Sequence, residues 1–325
     1  MSDPDFSLRA LDDAAQTVWR AMPPTPQYCW PLLCEALGGE VWLKHENHTP
    51  AGAFKVRGGV VWFDRLARDG RLPQGVITAT RGNHGQSIAR ASRAHGVACT
   101  IVVPHGNCIE KNAAMRAFGA TLIEHGSDFQ AAREHAQTLA AQQGLRMVPS
   151  FAPELVQGVA SYALELLRTV PDLDLLYVPI GLGSGACGCI AARDALGLRT
   201  RIVGVTSSHA RGFKLSFDAG TPLDSPVSTE LADGMAVRSP DPIALAMLRR
   251  GLDDVIEISD AEVAAAMRLI FTATHNVAEG AGAAALAALT QTRAHWAGRK
   301  VAAVLTGGNV NRARFAEVLT DNAPC

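Results

Sequence analysis

A chain of 325 residues with 48% hydrophobic content and thirty glycines is long enough to bury one large core or two moderate ones. Thirty basic residues against thirty-one acidic ones leave a formal charge of −1, which excludes electrostatic capture of nucleic acid or an anionic membrane and leaves a small molecule as the expected partner. No apolar stretch approaches the ~20 residues of a bilayer span; the opening "MSDPDFSLRALDDAAQTVWR" is acidic where a signal peptide is basic and then apolar; and Cys29, Cys34, Cys99, Cys108, Cys187, Cys189 and Cys325 include no CxxC pair. The expectation is a cytoplasmic protein with buried free thiols, no disulfide framework and no zinc site.

From about Gly39 onward, short β-branched runs alternate with longer amphipathic ones. A first strand turns toward a helix through "HENHTPAGAFKVRGG", His45 to Gly59. "GVITAT" then leads into "HGQSIARASRAHG", "ACTIVVP" into "EKNAAMRAFGA", "TLIEHG" into "DFQAAREHAQTLAAQQG", and "LDLLYVPIG" into "GACGCIAARDALG", with "KVAAVLTGG" near the end. Strands that are apolar throughout, joined by helical crossovers, predict an α/β protein of mostly parallel sheets covered by helices on both faces. Crossings near Pro50 and within "VPSFAPE", Val148 to Glu154, predict two lobes: a small domain, 51–152, and a large domain, 1–50 with 153–325. No repeat or low-complexity segment interrupts the series, and the oligomeric state is not legible.

Chemistry is expected where such strands end. Lys55 lies among Ala53, Phe54 and Val56 near a helix start. Desolvation and the positive end of the helix disfavour its ammonium form, so its amine is nucleophilic and suited to Schiff-base formation. "TATRGNHGQS" gives Thr80, Arg81, Gly82, Asn83, His84 and Gln86 at a strand-to-helix turn whose amides suit a carboxylate. "LYVPIGLGSGACG" leaves the backbone bare at Gly181, Gly183 and Gly185, beside Leu182 and Ser184, as a phosphate cradle. "AVLTGGNVN" ends a strand in the hydroxyl of Thr306. Each has a plain alternative: a solvated lysine, a packed histidine, a tight turn, a capping threonine.

Gly181, Gly183 and Ala186 also satisfy G-x-G-x-x-G/A, which raises a nicotinamide dinucleotide. The next strand, "RIVGVTS", ends in Thr206, Ser207 and Ser208, with no acid to hold a ribose. Phosphate without ribose is the better reading, and an aldehyde-reactive lysine together with a phosphate loop points to pyridoxal phosphate. A nicotinamide oxidoreductase and a non-catalytic amino-acid-binding protein stand as rivals.

In order, "PAGAFKVRGG", "RGNHGQS", "GLGSG" and "TGGNV" resemble the motifs of the pyridoxal-phosphate serine/threonine dehydratases of the tryptophan-synthase-β fold group, the fold-type II enzymes, over about Leu43 to Asn311. The resemblance implies that Lys55 carries pyridoxal 5′-phosphate as a Schiff base, with Phe54 packed beside it. Asn83 would bond the ring 3-hydroxyl, the loop Gly181, Leu182, Gly183, Ser184, Gly185 would hold the phosphate, and Thr306 would face the pyridine nitrogen. Thr80, Arg81, Gly82, Asn83 and His84 would meet the substrate. Lys55 would then take the α-proton of an L-3-hydroxy amino acid, which loses water and is hydrolysed to a 2-oxo acid and ammonia.

Three departures from the family pattern shape the expectation. Arg81 occupies the place of the serine base of the racemising members, which argues against racemisation. "TSSHARG", Thr206 to Gly212, lacks the acids that ligate a divalent metal in many relatives, so no metal is expected. "GVAS", Gly158 to Ser161, replaces "GQGT" and is expected near the side-chain pocket, where Val159 in place of glutamine favours an aryl group. Phenylserine is therefore expected ahead of threonine or serine, with 3-hydroxyaspartate, partnered by Arg81, as the other branch. The few residues after "TGGNV" suggest a catabolic enzyme without isoleucine feedback.

Overall fold

The apolar runs pair as parallel strands, and the central ones are buried by helices on both sides. The computed structural model describes residues 5–320, so Cys325 lies outside the described residues. Its strands are β1 (Gln27–Cys29), β2 (Val41–His45), β3 (Gly75–Ala79), β4 (Ala98–Val103), β5 (Thr121–Glu124), β6 (Arg146–Met147), β7 (Leu175–Pro179), β8 (Arg201–Ser207), β9 (Asp254–Ile258) and β10 (Val301–Leu305). They form a six-stranded sheet, β1-β2-β10-β7-β8-β9, and a four-stranded sheet, β5-β4-β3-β6. All pairings are parallel except β1 with β2. Every residue of β3, β7 and β10 is buried, which removes the in/out alternation of a half-exposed strand.

In the larger sheet, successive residues serve opposite cores. Leu176, Val178, Ala302 and Val304 pack with the helices Pro153–Thr169 and Ser184–Ala195. Leu175, Tyr177, Ala303 and Leu305 pack with Asp260–Thr274 and Gly280–Gln291. The last of these helices, "GAGAAALAALTQ", is buried over most of its circumference, and its small side chains permit a close approach to the sheet. The smaller sheet has its own apolar clusters, among them Phe63, Ile88, Ile101 and Met115. It is drawn entirely from residues 75–147, and we propose the division into a small domain, 51–152, and a large domain, 1–50 with 153–325.

Register brings the strand ends together. Leu305 is paired with His45, so the turn after β10 meets the segment leaving β2, and Ala53 bridges Gly307. Below this junction lies a buried ionic cluster: Lys44 from β2 and Glu46 from the turn just after it, Arg57 from the helix Lys55–Arg68 and Glu165 from Pro153–Thr169. Among its members the charges cancel, as burial requires.

Candidate active site

Lys55 is the first residue of its helix, and the N-cap, Phe54, offers no side-chain bond to the free amides. The Phe54 N–H donates to the Thr306 carbonyl at 3.0 Å, which fastens the turn to the end of β10. Lys55 Nζ lies 5.0 Å from the centroid of the Phe54 ring and donates to Ser184 Oγ at 2.9 Å. Burial lowers its pKa to about 8, because desolvation penalises the ammonium form. Phe54 in turn packs edge-on against Tyr162, ring centroids 6.0 Å apart.

Ser184 opens the helix Ser184–Ala195, whose N-cap is Gly183 at φ +94, with no side-chain cap. A side chain at Gly183 would be strained by that angle, and its Cβ would stand 3.1 Å from Ala244 Cβ. The second turn is built alike. Asn83 opens the helix Asn83–Ala94 after an N-cap glycine, Gly82, again without a side-chain cap. The Thr80 hydroxyl accepts from the Gly82 N–H at 2.9 Å and so shapes the turn itself. Two uncapped helix N-termini thus offer free amides for anions.

His84 is buried and its Nε2 has no partner; burial, then the neighbouring Lys55, pull its pKa down to about 3, so it is neutral. Thr306 is also buried, its hydroxyl donating to the Ala281 carbonyl at 3.2 Å. Arg81 extends toward solvent, with Nη2 3.6 Å from Asp233 Oδ1. Arg81 and Asp233 border a cleft of about 220 Å³, lined also by Cys108, Lys111, Gly234 and Glu279.

An amine of lowered pKa beside an aromatic ring, uncapped amides at two helix starts and an unpartnered buried imidazole nitrogen suit a ligand with an aldehyde, a phosphate and a flat ring. The family of pyridoxal-phosphate-dependent enzymes matches residues 18–307. The chain belongs to that family. Its cofactor is pyridoxal phosphate, and the dinucleotide reading of the Gly181 loop is set aside.

Among curated relatives, the biosynthetic L-threonine dehydratase IlvA of Haemophilus influenzae is 31% identical over 94% of this chain and 60% of its own length. The chain therefore spans less than two thirds of that relative. The L-threo-3-hydroxyaspartate ammonia-lyase of Saccharomyces cerevisiae is 29% identical over 95% of this chain and 94% of its own. Among solved structures, the processed form of threonine deaminase isoform 2 from Solanum lycopersicum superposes with a TM-score of 0.87, covering 96% of this chain and 93% of that one, at 25% identity. Two sheets covered by helices, as the sequence predicts, are shared with this family.

The structure brings Lys55, Phe54, Asn83, His84, Ser184 and Thr306 to one place and overturns one expectation. Val159 is buried in the core of the larger sheet, where Gly188 faces it, and Ser161 accepts a hydrogen bond from Arg57 Nη1 at 2.8 Å. "GVAS" is therefore helix packing beneath the site, not its side-chain pocket, because it falls inside a helix whose neighbours on both sides are core. In the segment expected to lack a metal site, Arg211 is paired with Glu257 at 2.7 Å. Among the described residues, no cluster of three or more His, Cys, Asp or Glu side chains suited to a metal is present.

Sequence reasoning missed Glu279, Lys111, Asn309 and Asp233. A signal existed for Glu279: it is the lone acid ahead of "GAGAAALAAL", a run too apolar to lie at the surface. Among the described residues, no helix is long and apolar enough to cross a membrane.

Proposed function

We propose that the chain is an ammonia-lyase that removes water from L-3-hydroxy amino acids and releases a 2-oxo acid and ammonia, with threo-3-phenylserine preferred over threonine and serine. The observation that carries the reaction class is Lys55: a desolvated amine, 2.9 Å from Ser184 Oγ and against the Phe54 ring, between two uncapped helix N-termini. The family and the activities named for the relatives support it. A role in amino-acid catabolism in the cytoplasm belongs to the same reading.

Pyridoxal phosphate, when bound, supplies the electron sink that makes the substrate's α-C–H acidic and its β-hydroxyl labile. Lys55 Nζ would anchor it and, as a free amine, would take the substrate's α-proton, for which a pKa near neutrality is suited. The amides at the start of Ser184–Ala195, with Gly181, Leu182, Gly183 and Gly185, hold the phosphate; those at Gly82 to His84 hold the substrate carboxylate. Thr306 would place a neutral hydroxyl, and no carboxylate, near the ring nitrogen, which would favour elimination over transamination because nothing there would hold that nitrogen protonated.

For the side chain, Val159 gives no support, and the preference for an aryl group rests on the cleft instead. Arg81 can stack its guanidinium on an aromatic face, and the space beside it exceeds what a methyl group fills. A 3-hydroxyaspartate substrate is the second reading, since Arg81 and Lys111 are cations at the cleft. Asp233 and Glu279 already partner them, so a further carboxylate would meet two acids.

Borohydride treatment of the yellow holoenzyme tests the anchor. The pyridoxyl tag is expected on the peptide holding Lys55, and Lys55→Ala is expected to bind no covalent cofactor and to lose all but a trace of turnover. A tag on another lysine would overturn the assignment.

A further inference from the structure

Asn83 carries two amide hydrogens and an oxygen with two lone pairs, and its neighbours leave those atoms no choice of orientation. Its Oδ1 accepts from Asn309 Nδ2 at 2.9 Å, and its Nδ2 donates to Glu279 Oε1. Asn309 cannot turn over, because the same Nδ2 also donates to the Ala51 carbonyl at 2.8 Å. Glu279, when ionised, can only accept. Reversing the Asn83 amide would set its oxygen against the carboxylate and its NH₂ against the NH₂ of Asn309.

Glu279 is held equally firmly. It is buried at 5% exposure as the N-cap residue of Gly280–Gln291. Its N–H donates to the Gly307 carbonyl at 3.0 Å, and its Oε2 lies 3.2 Å from Lys111 Nζ. A Cβ at position 307 would come within 2.6 Å of Oε1, so glycine there makes room for the carboxylate. Burial pulls the Lys111 pKa down, but the charges of Glu279 and Asp233 outweigh it and keep the ammonium form.

We propose that Glu279 is a positioning residue: with Asn309 it locks the Asn83 amide so that one Nδ2 hydrogen remains free for the ring oxygen of the cofactor. This rests on the reading that Asn83 serves that oxygen. Among the described residues, the second Nδ2 hydrogen has no acceptor. Glutamine cannot replace the acid, because its single carbonyl oxygen would have to serve both Lys111 and Asn83, leaving one of these donors to face an NH₂ group.

The test titrates apoprotein with pyridoxal phosphate and follows the visible band. Glu279→Gln is expected to raise Kd roughly tenfold, the loss of about one hydrogen bond, and to move the pH midpoint of the chromophore, which a purely structural role would not do. Asn83→Ala is expected to raise Kd similarly, and the double variant to be no weaker than the worse single one, since both act through one group. Should Glu279→Gln fail to fold, Asn309→Ala probes the other edge of the same amide with the same non-additive outcome. A Glu279→Gln Kd within twofold of the parent with an unmoved midpoint, or additive losses, would overturn the proposal. An Asn83→Ala protein that binds as tightly as the parent would show instead that the underlying reading of Asn83 has failed.

Discussion

Arg57 and Glu165 face each other as a two-point ion pair in the interior, Nη1 to Oε1 at 2.7 Å and Nη2 to Oε2 at 2.9 Å. Arg57 Nε also donates to Glu46 Oε2 at 2.7 Å, and Lys44 Nζ to Glu165 Oε2 at 2.6 Å. This cluster joins the helix that begins at Lys55 to β2 and to the helix Pro153–Thr169. Removing Arg57 leaves two buried carboxylates with only Lys44 between them. Arg57→Met is expected to cost about 3–5 kcal/mol of stability, read from denaturant unfolding, and Arg57→Lys not to restore it, because an ammonium cannot reproduce the fork. An unchanged midpoint would contradict the account.

The same cluster sets an acid limit. Burial pushes the Glu165 pKa up, but Arg57 and then Lys44 outweigh it and hold the carboxyl below its ordinary value. A depressed folded-state pKa contributes stability above the unfolded value, about 4.3, and loses it as pH falls through the folded one. Unfolding midpoints measured from neutrality downward are expected to fall below about pH 4.3, and in Glu165→Gln that acid-dependent part of the loss is expected to shrink.

Lys55 gives a second pH signature. The attacking species is the free amine, and its pKa in the folded protein is about 8 rather than 10.5. The rate at which apoprotein captures pyridoxal phosphate is therefore expected to rise with pH and level off above about 8. Because the unfolded chain binds this proton more tightly, Lys55 makes apoprotein stability increase with pH between those two values. A capture rate still climbing steeply toward pH 10.5 would show an ordinary solvated lysine.

Much of the fold was legible because period and punctuation are local. Apolar runs followed by glycine-bearing turns mark β3, β7 and β10, and the residues after them contribute to the site. The placing of β10 between β2 and β7 was not legible, since it depends on contacts between segments far apart in the chain. Val159 misled for a related reason: a motif position says which residue differs, but not which way a helix turns it. Lys44 carried an unused signal, a charge inside "EVWLKH" that an apolar strand does not tolerate without a buried partner.

Arg81 separates the two substrate branches. Its side chain is 43% exposed and its ion pair with Asp233, at 3.6 Å, is loose, so its loss is not expected to unfold the protein. Arg81→Ala is expected to raise KM for phenylserine with a smaller change in kcat, as removal of uniform binding does. A loss confined to 3-hydroxyaspartate would favour that substrate.

The most direct measurement is the simultaneous assay of ammonia and 2-oxo acid from purified holoenzyme given threo-3-phenylserine, L-threonine, L-serine and 3-hydroxyaspartate. Equimolar release of the two products is expected, with kcat/KM for phenylserine above that for threonine. A threonine value equal to or higher than the phenylserine value would contradict the aryl preference, and no ammonia from any of the four would contradict the assignment as a 3-hydroxy amino acid ammonia-lyase.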